Sequence, residues 1–510
     1  MSVWILTPRR ILWDVVCIAE VIVSVVVHLS YGLSVFGSAV WIDVMSTLSA
    51  SRPQSRRHAH ARVHPIVDEN GENSKFVADD DDDDDDERAT TRAVKQQHVE
   101  GFGAHVLEGH HEKPPIVLLH GIFGFGKEKL GSLSYWGGAE QRYDRILVPD
   151  LGALTSIHDR ACLLFYYLKG GTVDFGLKRS QQFGHSRFGR TYEQGHYAEW
   201  DENHPIHLVG HSSGVQVARH LQHMLAEKAF PGHKTTSADW VLSVTSLSGA
   251  MNGTTRVFLD GICPEDGQTM KTISLLQFLR IGVLFYEWLD IPALKKYYAF
   301  GFDHYNLSWH KAGMSGLRDT MLGRSGPFAA RNWVIPDLSI QHAVEVNKKL
   351  QTYPNTYYFS YATKHTRKVF SQILPKSFLG THPLLFLRAL QICLWRHPSH
   401  LPPPYDVYRD EDWQDNDGAL NTVSQLYPRI PIEHPHCEIG TESTNDEVLQ
   451  PGIWYYTTLQ ADHIYFIVNR DRAGVHFDLL YDGIFQRCHT QMRRVLKCQP
   501  VEAVKSLCNL

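Results

Sequence analysis

The sequence lacks an excess of charge of either sign and lacks closely spaced cysteines, and both absences narrow the classes of protein to consider. Its 510 residues carry a formal net charge of −5 at pH 7, so a nucleic-acid partner is not expected. The eight cysteines show no CxxC spacing, which argues against a structural zinc ribbon or a redox pair. Disulfides among the C-terminal cysteines stay open if the domain lies in an oxidising compartment. The hydrophobic fraction of 43% is typical of a globular protein.

The N-terminal 50 residues contain an uncharged run suited to a membrane. From Val21 to Trp41, about twenty residues carry no formal charge, and that length spans a bilayer. The apolar region of a cleaved signal peptide is shorter, about 7 to 15 residues. We therefore expect residues 1–50 to form the single-pass anchor of a membrane-associated protein, in the endomembrane system. A signal segment of a secreted protein and a buried hairpin are the alternatives.

Residues 51–113 lack the apolar pattern that a folded core requires. An unbroken acidic run from Asp79 to Asp86 is followed by Glu87, and like charges at that density repel each other and bury nothing. The run also lacks the glycine and the spacing of an EF-hand loop, which argues against calcium binding there. This segment is predicted to be a disordered acidic linker.

From residue 114 onward, apolar runs typical of buried strands alternate with segments whose apolar residues recur at helical spacing. The strands are predicted at Pro115–His120, Arg145–Pro149, His207–His211, Trp240–Leu247, Tyr357–Tyr361 and Tyr465–Val468. This alternation predicts an α/β fold with a mainly parallel sheet over residues 114–497, before a tail at 498–510. Between about 255 and 337 the alternation stops and aromatic residues become frequent. That change indicates a lid insertion over the site, with ordinary core helices as the alternative.

The stretch from Gly210 to Gly214 reads G-H-S-S-G between a predicted strand and a predicted helix. G-x-S-x-G in that context is a nucleophile elbow, in which the two glycines remove side chains that would clash around a strained, exposed serine. Ser212 is therefore the candidate nucleophile. A chance match to this motif is common in a chain with 38 glycines. The prediction of a nucleophile elbow therefore depends on the flanking strand and helix.

A serine hydroxyl needs a histidine to accept its proton, and the histidine needs a carboxylate to hold its tautomer. In this architecture the chain order is serine, then acid, then histidine. Asp417 is the strongest acid candidate, because an Asp-Gly turn at a strand end exposes its carboxylate. His463, just before a predicted strand, is the strongest base candidate among 30 histidines.

A series of short segments resembles, in the same order, the thermoalkalophilic bacterial lipases and their plant relatives. The most specific are GGTVDFG at Gly170–Gly176 and GHSRFGRTY at Gly184–Tyr192, which belong to that family rather than to α/β-hydrolases at large. The others are PPIVLLHG, YWGG, DRAC, GHSSG, VLSVTSLSGAMNGTT, FDHY, PNTYYFSYAT, NDGALNTVS and ADH. The resemblance covers residues 114–497.

The resemblance implies an α/β-hydrolase fold with triacylglycerol lipase activity, a helical lid opened by a lipid surface, and a small extra subdomain that holds zinc. Carried over position by position, it makes Ser212 the nucleophile, Asp417 the acid and His463 the base. The backbone N–H groups of Ile122 and Ser213 would form the oxyanion hole. No cofactor is implied for catalysis.

The family's zinc site uses Asp, His, His and Asp. This chain matches three of these positions at Asp159, His185 and Asp303, and the remaining position is Arg179. An arginine offers donors only. Either water, His158 or His304 completes a weaker zinc site, or Arg179 replaces the metal by pairing with the two aspartates.

The family's calcium site is matched less well than its zinc site. The corresponding positions read Tyr465, Arg470 and Asp471, so the resemblance does not support a bound calcium ion.

Three functions fit this resemblance. The first is hydrolysis of lipid carboxylic esters at a membrane or lipid-droplet surface, through an acyl-enzyme on Ser212. The second is a phospholipase, galactolipase or acyltransferase, since leaving-group and acceptor choice depend on lid and loop residues. The third is a non-catalytic lipid-binding protein, which would have no need of Ser212, Asp417 and His463 together.

Overall fold

The computed structural model describes residues 113–127, 129–131, 133–376, 383–440, 449–467 and 470–498. The predicted N-terminal anchor, the acidic linker up to residue 112 and the tail from 499 lie outside these residues. The strands are β1 (Ile116–Leu119), β2 (Ile146–Leu147), β3 (Gly171–Asp174), β4 (Phe188–Tyr192), β5 (Ile206–His211), β6 (Val241–Leu247), β7 (Tyr357–Thr363), β8 (Thr366–Val369), β9 (Gln372–Pro375), β10 (His436–Glu438) and β11 (Trp454–Leu459).

The helices connect these strands and fill the segment between β6 and β7. They are α1 (Ile157–Lys169), α2 (Leu177–Phe183), α3 (Gly214–Ala226), α4 (Arg256–Asp260), α5 (Leu275–Leu289), α6 (Pro292–Tyr297), α7 (Trp309–Met321), α8 (Gly326–Ala329), α9 (Val334–Asp337), α10 (Ile340–Asn347), α11 (Pro383–Leu394), α12 (Thr422–Leu426) and α13 (Arg470–Cys498). The predicted insertion at about 255–337 is thus helical in the described structure.

Seven strands form one sheet in the order β10-β11-β7-β6-β5-β1-β2. Every pairing in this sheet is parallel, which confirms the predicted mainly parallel sheet. Two further pairs are antiparallel: β8 and β9 form a hairpin, whereas β3 and β4 are joined through α2. Helices cover both faces of the main sheet, so β5 and β6 are buried along their whole length.

Alternating residues of β1 point to opposite sides of the sheet and join two separate apolar clusters. Val117 and Leu119 pack with α1 and α3, whereas Ile116 and Leu118 pack with α13. A parallel strand covered on both faces needs apolar residues at every position, which explains why this run is apolar without alternation. The two clusters fix β1 and β5 side by side, and the carboxyl ends of these strands carry the candidate site.

The prediction of a strand at Tyr465–Val468 is wrong. Residues His463–Phe466 form a short 3-10 helix, and the last strand of the sheet is β11, which ends before it. Phe466 is fully buried, and its carbonyl oxygen accepts a hydrogen bond of 2.6 Å from the Tyr481 hydroxyl on α13. Over its described residues, which end at Ile467, the apolar run therefore packs beneath α13 and does not pair with a strand.

The predicted localisation also requires correction. Among the described residues, no helix combines the length and the apolar character that a membrane crossing needs. The apolar helix α5 has 15 residues, or about 22 Å, against a hydrocarbon core of about 30 Å. The 29-residue α13 carries charges such as Asp478 and Arg487. The single-pass anchor is therefore withdrawn; the run from Val21 to Trp41 on which it was based lies outside the described residues.

Candidate active site

Ser212 lies in a sharp turn between β5 and α3, with a backbone φ of +56°. That left-handed conformation is rare for a residue with a side chain and is found where the surrounding structure enforces it. A Cβ at Gly210 would collide with the Val215 backbone nitrogen, and one at Gly214 with the Leu119 carbonyl oxygen. Both glycines of the motif are therefore required for the chain to pass through this turn.

Asp417 and His463 form a hydrogen bond of 2.8 Å between the carboxylate Oδ2 and the ring Nδ1. The His463 backbone N–H also donates to the Asp417 carbonyl oxygen at 3.1 Å. Because one carboxylate oxygen holds Nδ1–H, the Nε2 atom of His463 keeps a lone pair with which to accept a proton. The structure thus brings together the two side chains that the sequence predicted as acid and base, although they are 46 residues apart along the chain.

The Asp417 carboxylate is completely buried and accepts several neutral donors as well. Its oxygens accept from the N–H groups of Ala419 at 2.9 Å and Leu420 at 2.7 Å, from the Thr363 hydroxyl at 2.7 Å and from the Gln425 amide at 2.9 Å. Burial raises the pKa of Asp417, but the nearby His463 and these hydrogen bonds outweigh it, so the pKa lies below its ordinary value. The group is an anion at neutral pH.

His463 is held beside the serine turn by the residue that precedes the serine. The rings of His211 and His463 have centroids 4.8 Å apart, and His211 Nε2 lies 3.1 Å from the His463 carbonyl oxygen. On its other side, His211 Nδ1 lies 2.7 Å from the Tyr135 hydroxyl, which accepts from the Gly121 N–H at 3.0 Å. Burial lowers the pKa of His211 to about 3, so the ring is neutral.

These contacts fix the direction of each hydrogen bond in the series that runs from Gly121 through Tyr135 and His211 to His463. The Tyr135 hydroxyl donates to Nδ1 of His211, and Nε2–H of His211 therefore donates to the His463 carbonyl. Sequence reasoning assigned no role to Tyr135 or His211. The available signals were that Tyr135 begins the YWGG segment and that His211 is inside the elbow motif, but neither reveals a contact across 76 residues.

The two predicted oxyanion donors lie after the ends of neighbouring strands. Ile122 follows β1 and Ser213 follows β5, and these strands pair in register from Ile116 with His207 to Leu119 with Gly210. Among the described residues, neither backbone N–H has a hydrogen-bond acceptor within the protein. Two amides left without partners beside a strained serine can stabilise a negative oxygen.

A second polar cluster surrounds Asp159, at the first turn of α1. Ligand atoms of Asp159, His185 and His304 lie within 4.8 Å of one another. Asp303, which the sequence predicted as a ligand, is not part of this group. Its side chain is 65% exposed and lies 3.8 Å from the Lys295 ammonium. His304 takes its place because it is the buried neighbour.

The donors present do not fit a closed tetrahedral zinc site. In favour of a metal, His185 gives its Nδ1–H to the Ser186 carbonyl at 2.8 Å, and its buried Nε2 has no hydrogen-bond partner among the described residues. Against it, the Arg179 Nε lies 2.9 Å from Asp159 Oδ1, and the Asn332 amide donates to Asp159 Oδ2 at 2.8 Å. A permanent cation already occupies the carboxylate that zinc would need.

The pKa of Asp159 reflects these partners. Burial raises it, but the Arg179 guanidinium and the adjacent His158 and His304 rings more than compensate and hold it well below its ordinary value. Arg179 also donates to Asn332 Oδ1 at 2.6 Å and to Ser156 Oγ at 3.1 Å. Of the two arrangements open from the sequence, the geometry favours Arg179 in place of a metal, paired with Asp159 but not with Asp303.

Comparison with known proteins gives consistent matches. Residues 112–233 match a family described as a lipase-like C-terminal domain. The lipase of Staphylococcus hyicus is 27% identical over 414 residues, which are 76% of this chain and 58% of that protein. Lipase 1 of Staphylococcus aureus is 26% identical over 381 residues, or 69% of this chain and 50% of that protein. The chain thus spans about half the length of these curated relatives.

Two solved structures that resemble this chain show its fold class and its family. The crystal structure of Staphylococcus hyicus lipase superposes with a TM-score of 0.62 over 77% of this chain and 99% of that chain, at 23% identity, which shows an α/β-hydrolase-like fold. Lipase 1 from Pelosinus fermentans is 30% identical, with a TM-score of 0.50 over 69% of this chain and 93% of that chain. This chain therefore belongs to the family of bacterial lipases.

Proposed function

We propose that this protein hydrolyses lipid carboxylic esters, as a triacylglycerol lipase of the serine type. The observation that carries the proposal is the Asp417–His463 pair, bonded at 2.8 Å and held beside the turn that strains Ser212. The family's bacterial members are named lipases, which supports the same class. The segments GGTVDFG and GHSRFGRTY favour the thermoalkalophilic group and its plant relatives.

In the proposed mechanism, Ser212 Oγ attacks the ester carbonyl carbon while Nε2 of His463 accepts its proton. The Asp417 carboxylate stabilises the imidazolium that results. The N–H groups of Ile122 and Ser213 bind the negative oxygen of the tetrahedral intermediate. Its collapse expels the alcohol with the proton from His463, and water then hydrolyses the acyl-enzyme by the same steps in reverse. No cofactor takes part.

We further propose that the helices between residues 255 and 337 form a lid that responds to a lipid surface. The Tyr298 hydroxyl donates to the Phe123 carbonyl at 2.9 Å, and this places the insertion against the loop that carries Ile122. On α5, the side chains of Phe278, Ile281 and Phe285 are each about half exposed. Such side chains would gain from contact with a lipid ester surface.

A fluorophosphonate probe tests the proposal directly. The full chain should be labelled once, on Ser212, as located by mass spectrometry, and should hydrolyse emulsified triacylglycerol. Ser212→Ala should abolish labelling and turnover while it leaves the folded structure intact, because the change removes one oxygen and no packing volume. Ser371→Ala, which changes an exposed serine in the turn between β8 and β9, is the matched control and should still be labelled. An unlabelled wild-type chain would identify a non-catalytic lipid-binding protein instead.

A panel of lipid classes then resolves the substrate. Triacylglycerol should be hydrolysed faster than phospholipid or galactolipid. A reversed order, or transfer of the acyl group to an added alcohol in preference to water, would replace the triacylglycerol assignment while it leaves the serine mechanism in place.

A further inference from the structure

Arg160 is a fully buried arginine directly behind the two loops that present the Ile122 and Ser213 amides. Its side chain starts from α1 and is 0% exposed. One guanidinium nitrogen donates to Ser213 Oγ at 3.0 Å, and another donates to the His120 carbonyl oxygen. A single planar group therefore bridges the loop after β1 and the loop after β5.

The loop after β1 is also held from its other side. The ring of His120 accepts from the Leu151 N–H at 3.1 Å through Nε2, so its Nδ1–H donates to the Gly121 carbonyl at 3.0 Å. Arg160 and His120 together leave the peptide that precedes Ile122 little freedom to rotate. The position of the Ile122 N–H is thereby set before any substrate binds.

In the described part of the chain, Arg160 forms no direct ion pair, although the charge of Asp150 acts on it from a greater distance. Among the described residues, no carboxylate lies within 4.0 Å of its guanidinium, and its Nε has no hydrogen-bond partner. Burial lowers the pKa of Arg160 to about 10, which still leaves it charged at neutral pH. A buried cation with no carboxylate bonded to it is costly to a folded protein, so its position calls for an explanation.

A second arginine shows that burial alone does not provide that explanation. Arg219 on α3 is 5% exposed, and its pKa is likewise lowered by burial to about 10. Its guanidinium donates to Gln216 at 2.8 Å and Asn347 at 2.9 Å, and it touches neither oxyanion loop. Arg219 is therefore a natural control with the same chemistry at a different place.

We propose that Arg160 is a positioning residue for the oxyanion hole: it locks the two donor loops together and places a positive charge behind them. The inference rests on the proposed ester hydrolysis. When the carbonyl oxygen becomes negative, it acquires two oriented N–H donors and a nearby buried cation without any rearrangement of the protein. In the ground state the same oxygen is neutral, so the charge acts on the transition state more than on substrate binding.

The test compares Arg160→Gln, Arg160→Lys and Arg219→Gln in the full chain. Active sites are counted by fluorophosphonate titration, so that loss of folded protein is separated from loss of rate. We measure kcat and KM on a soluble p-nitrophenyl ester, and the affinity for an alkyl trifluoromethyl ketone, which forms a hemiketal oxyanion on the serine.

Removal of one direct oxyanion donor costs about 10²- to 10³-fold in kcat, and we expect Arg160→Gln to lose about 10²-fold per active site with KM little changed. The ketone affinity should fall in parallel. Arg160→Lys keeps the charge but cannot bridge both loops as a fork, so its kcat should be intermediate. Arg219→Gln should lower thermal stability and leave kcat per active site unchanged.

Wild-type kcat and ketone affinity per titrated site in Arg160→Gln would overturn the inference and assign Arg160 a purely structural role. If Arg160→Gln does not fold, Arg160→Lys decides: wild-type ketone affinity in that variant overturns the bridging role, and reduced affinity supports it. Failure of the proposed function looks different, because the wild-type chain itself would then show neither labelling nor turnover.

Discussion

Asp417 and Asp159 are both completely buried, and both lie close to histidine: one ring nitrogen is 2.8 Å from Asp417, and two are 3.2 and 3.4 Å from Asp159. The two carboxylates are nevertheless suited to different tasks. Four of the partners of Asp417 are neutral donors, and the fifth, His463, is the partner that becomes protonated in the proposed mechanism. Asp159 is bonded to Arg179, whose charge is permanent. The comparison shows that a buried Asp-His contact does not define chemistry by itself. What matters is whether the negative charge is still available when the histidine becomes protonated.

The largest effect should come from removing the carboxylate charge at the first of these sites. Asp417→Asn should reduce kcat by about 10⁴-fold, as in serine proteases, because an amide permits the wrong histidine tautomer and does not stabilise the imidazolium. The measurement is ester turnover per folded molecule. Asp415→Asn is the matched control, since Asp415 lies on the same loop but pairs with Lys364 at 2.7 Å. Near-wild-type turnover in Asp417→Asn would contradict the assignment of Asp417 as the acid of the triad.

At the second site, removal of the permanent cation should cost stability. Arg179→Ala leaves the buried Asp159 without its charged partner, and breaking a buried pair from one side typically costs about 3–5 kcal/mol. Urea unfolding of the full chain in the presence of a chelator measures this. Arg187→Ala removes the exposed partner of Asp174 and should cost less. The geometry indicates that Asp159 depends on Arg179 for its stability in the folded protein. An equal loss of unfolding free energy in the two variants would contradict that dependence.

A smaller effect on stability is expected when a substitution at Arg179 turns the second site into a metal site. The wild-type chain should hold no stoichiometric zinc after dialysis, because Arg179 occupies Asp159. Arg179→His frees that carboxylate beside His185 and His304 and adds a fourth ligand. Zinc at 100 times its dissociation constant would then raise the unfolding free energy by about 2.7 kcal/mol. Elemental analysis and melting with and without zinc check this. One tightly held zinc in the wild type would contradict the replacement of the metal by arginine.

The smallest effect concerns acid stability. The pKa of Asp417 is lowered in the folded protein, so the charged form stabilises the fold. That contribution is fully present above the unfolded-state pKa of about 3.9 and is lost as the pH falls through the lower folded-state value. The stability gap between wild type and Asp417→Asn should therefore shrink as the pH falls below about 4. Urea midpoints across pH 3 to 6 measure it, and a gap that stays constant would show that the charge of Asp417 contributes nothing to the fold.

The sequence by itself determined the parallel sheet and the strand, turn and helix around Ser212. These features depend on local patterns: apolar runs specify buried strands, and two glycines specify the turn. Asp417 and His463 were found by chain order together with the resemblance to a family, and the structure places them in contact. The nucleophile and oxyanion roles remain proposals that the experiments above address.

Only the tertiary structure decided which side chains face each cluster. Asp303 and His304 are neighbours in the short 3-10 helix Asp303–Tyr305, where successive side chains point about 120° apart. One of them can face Asp159, and burial selects His304 while Asp303 stays in solvent. In the same way, Asp159 and Arg160 follow each other on α1 but belong to different sites. No local pattern encodes that choice, because it depends on the direction in which a packed helix presents each residue to strands and loops that are distant in the chain.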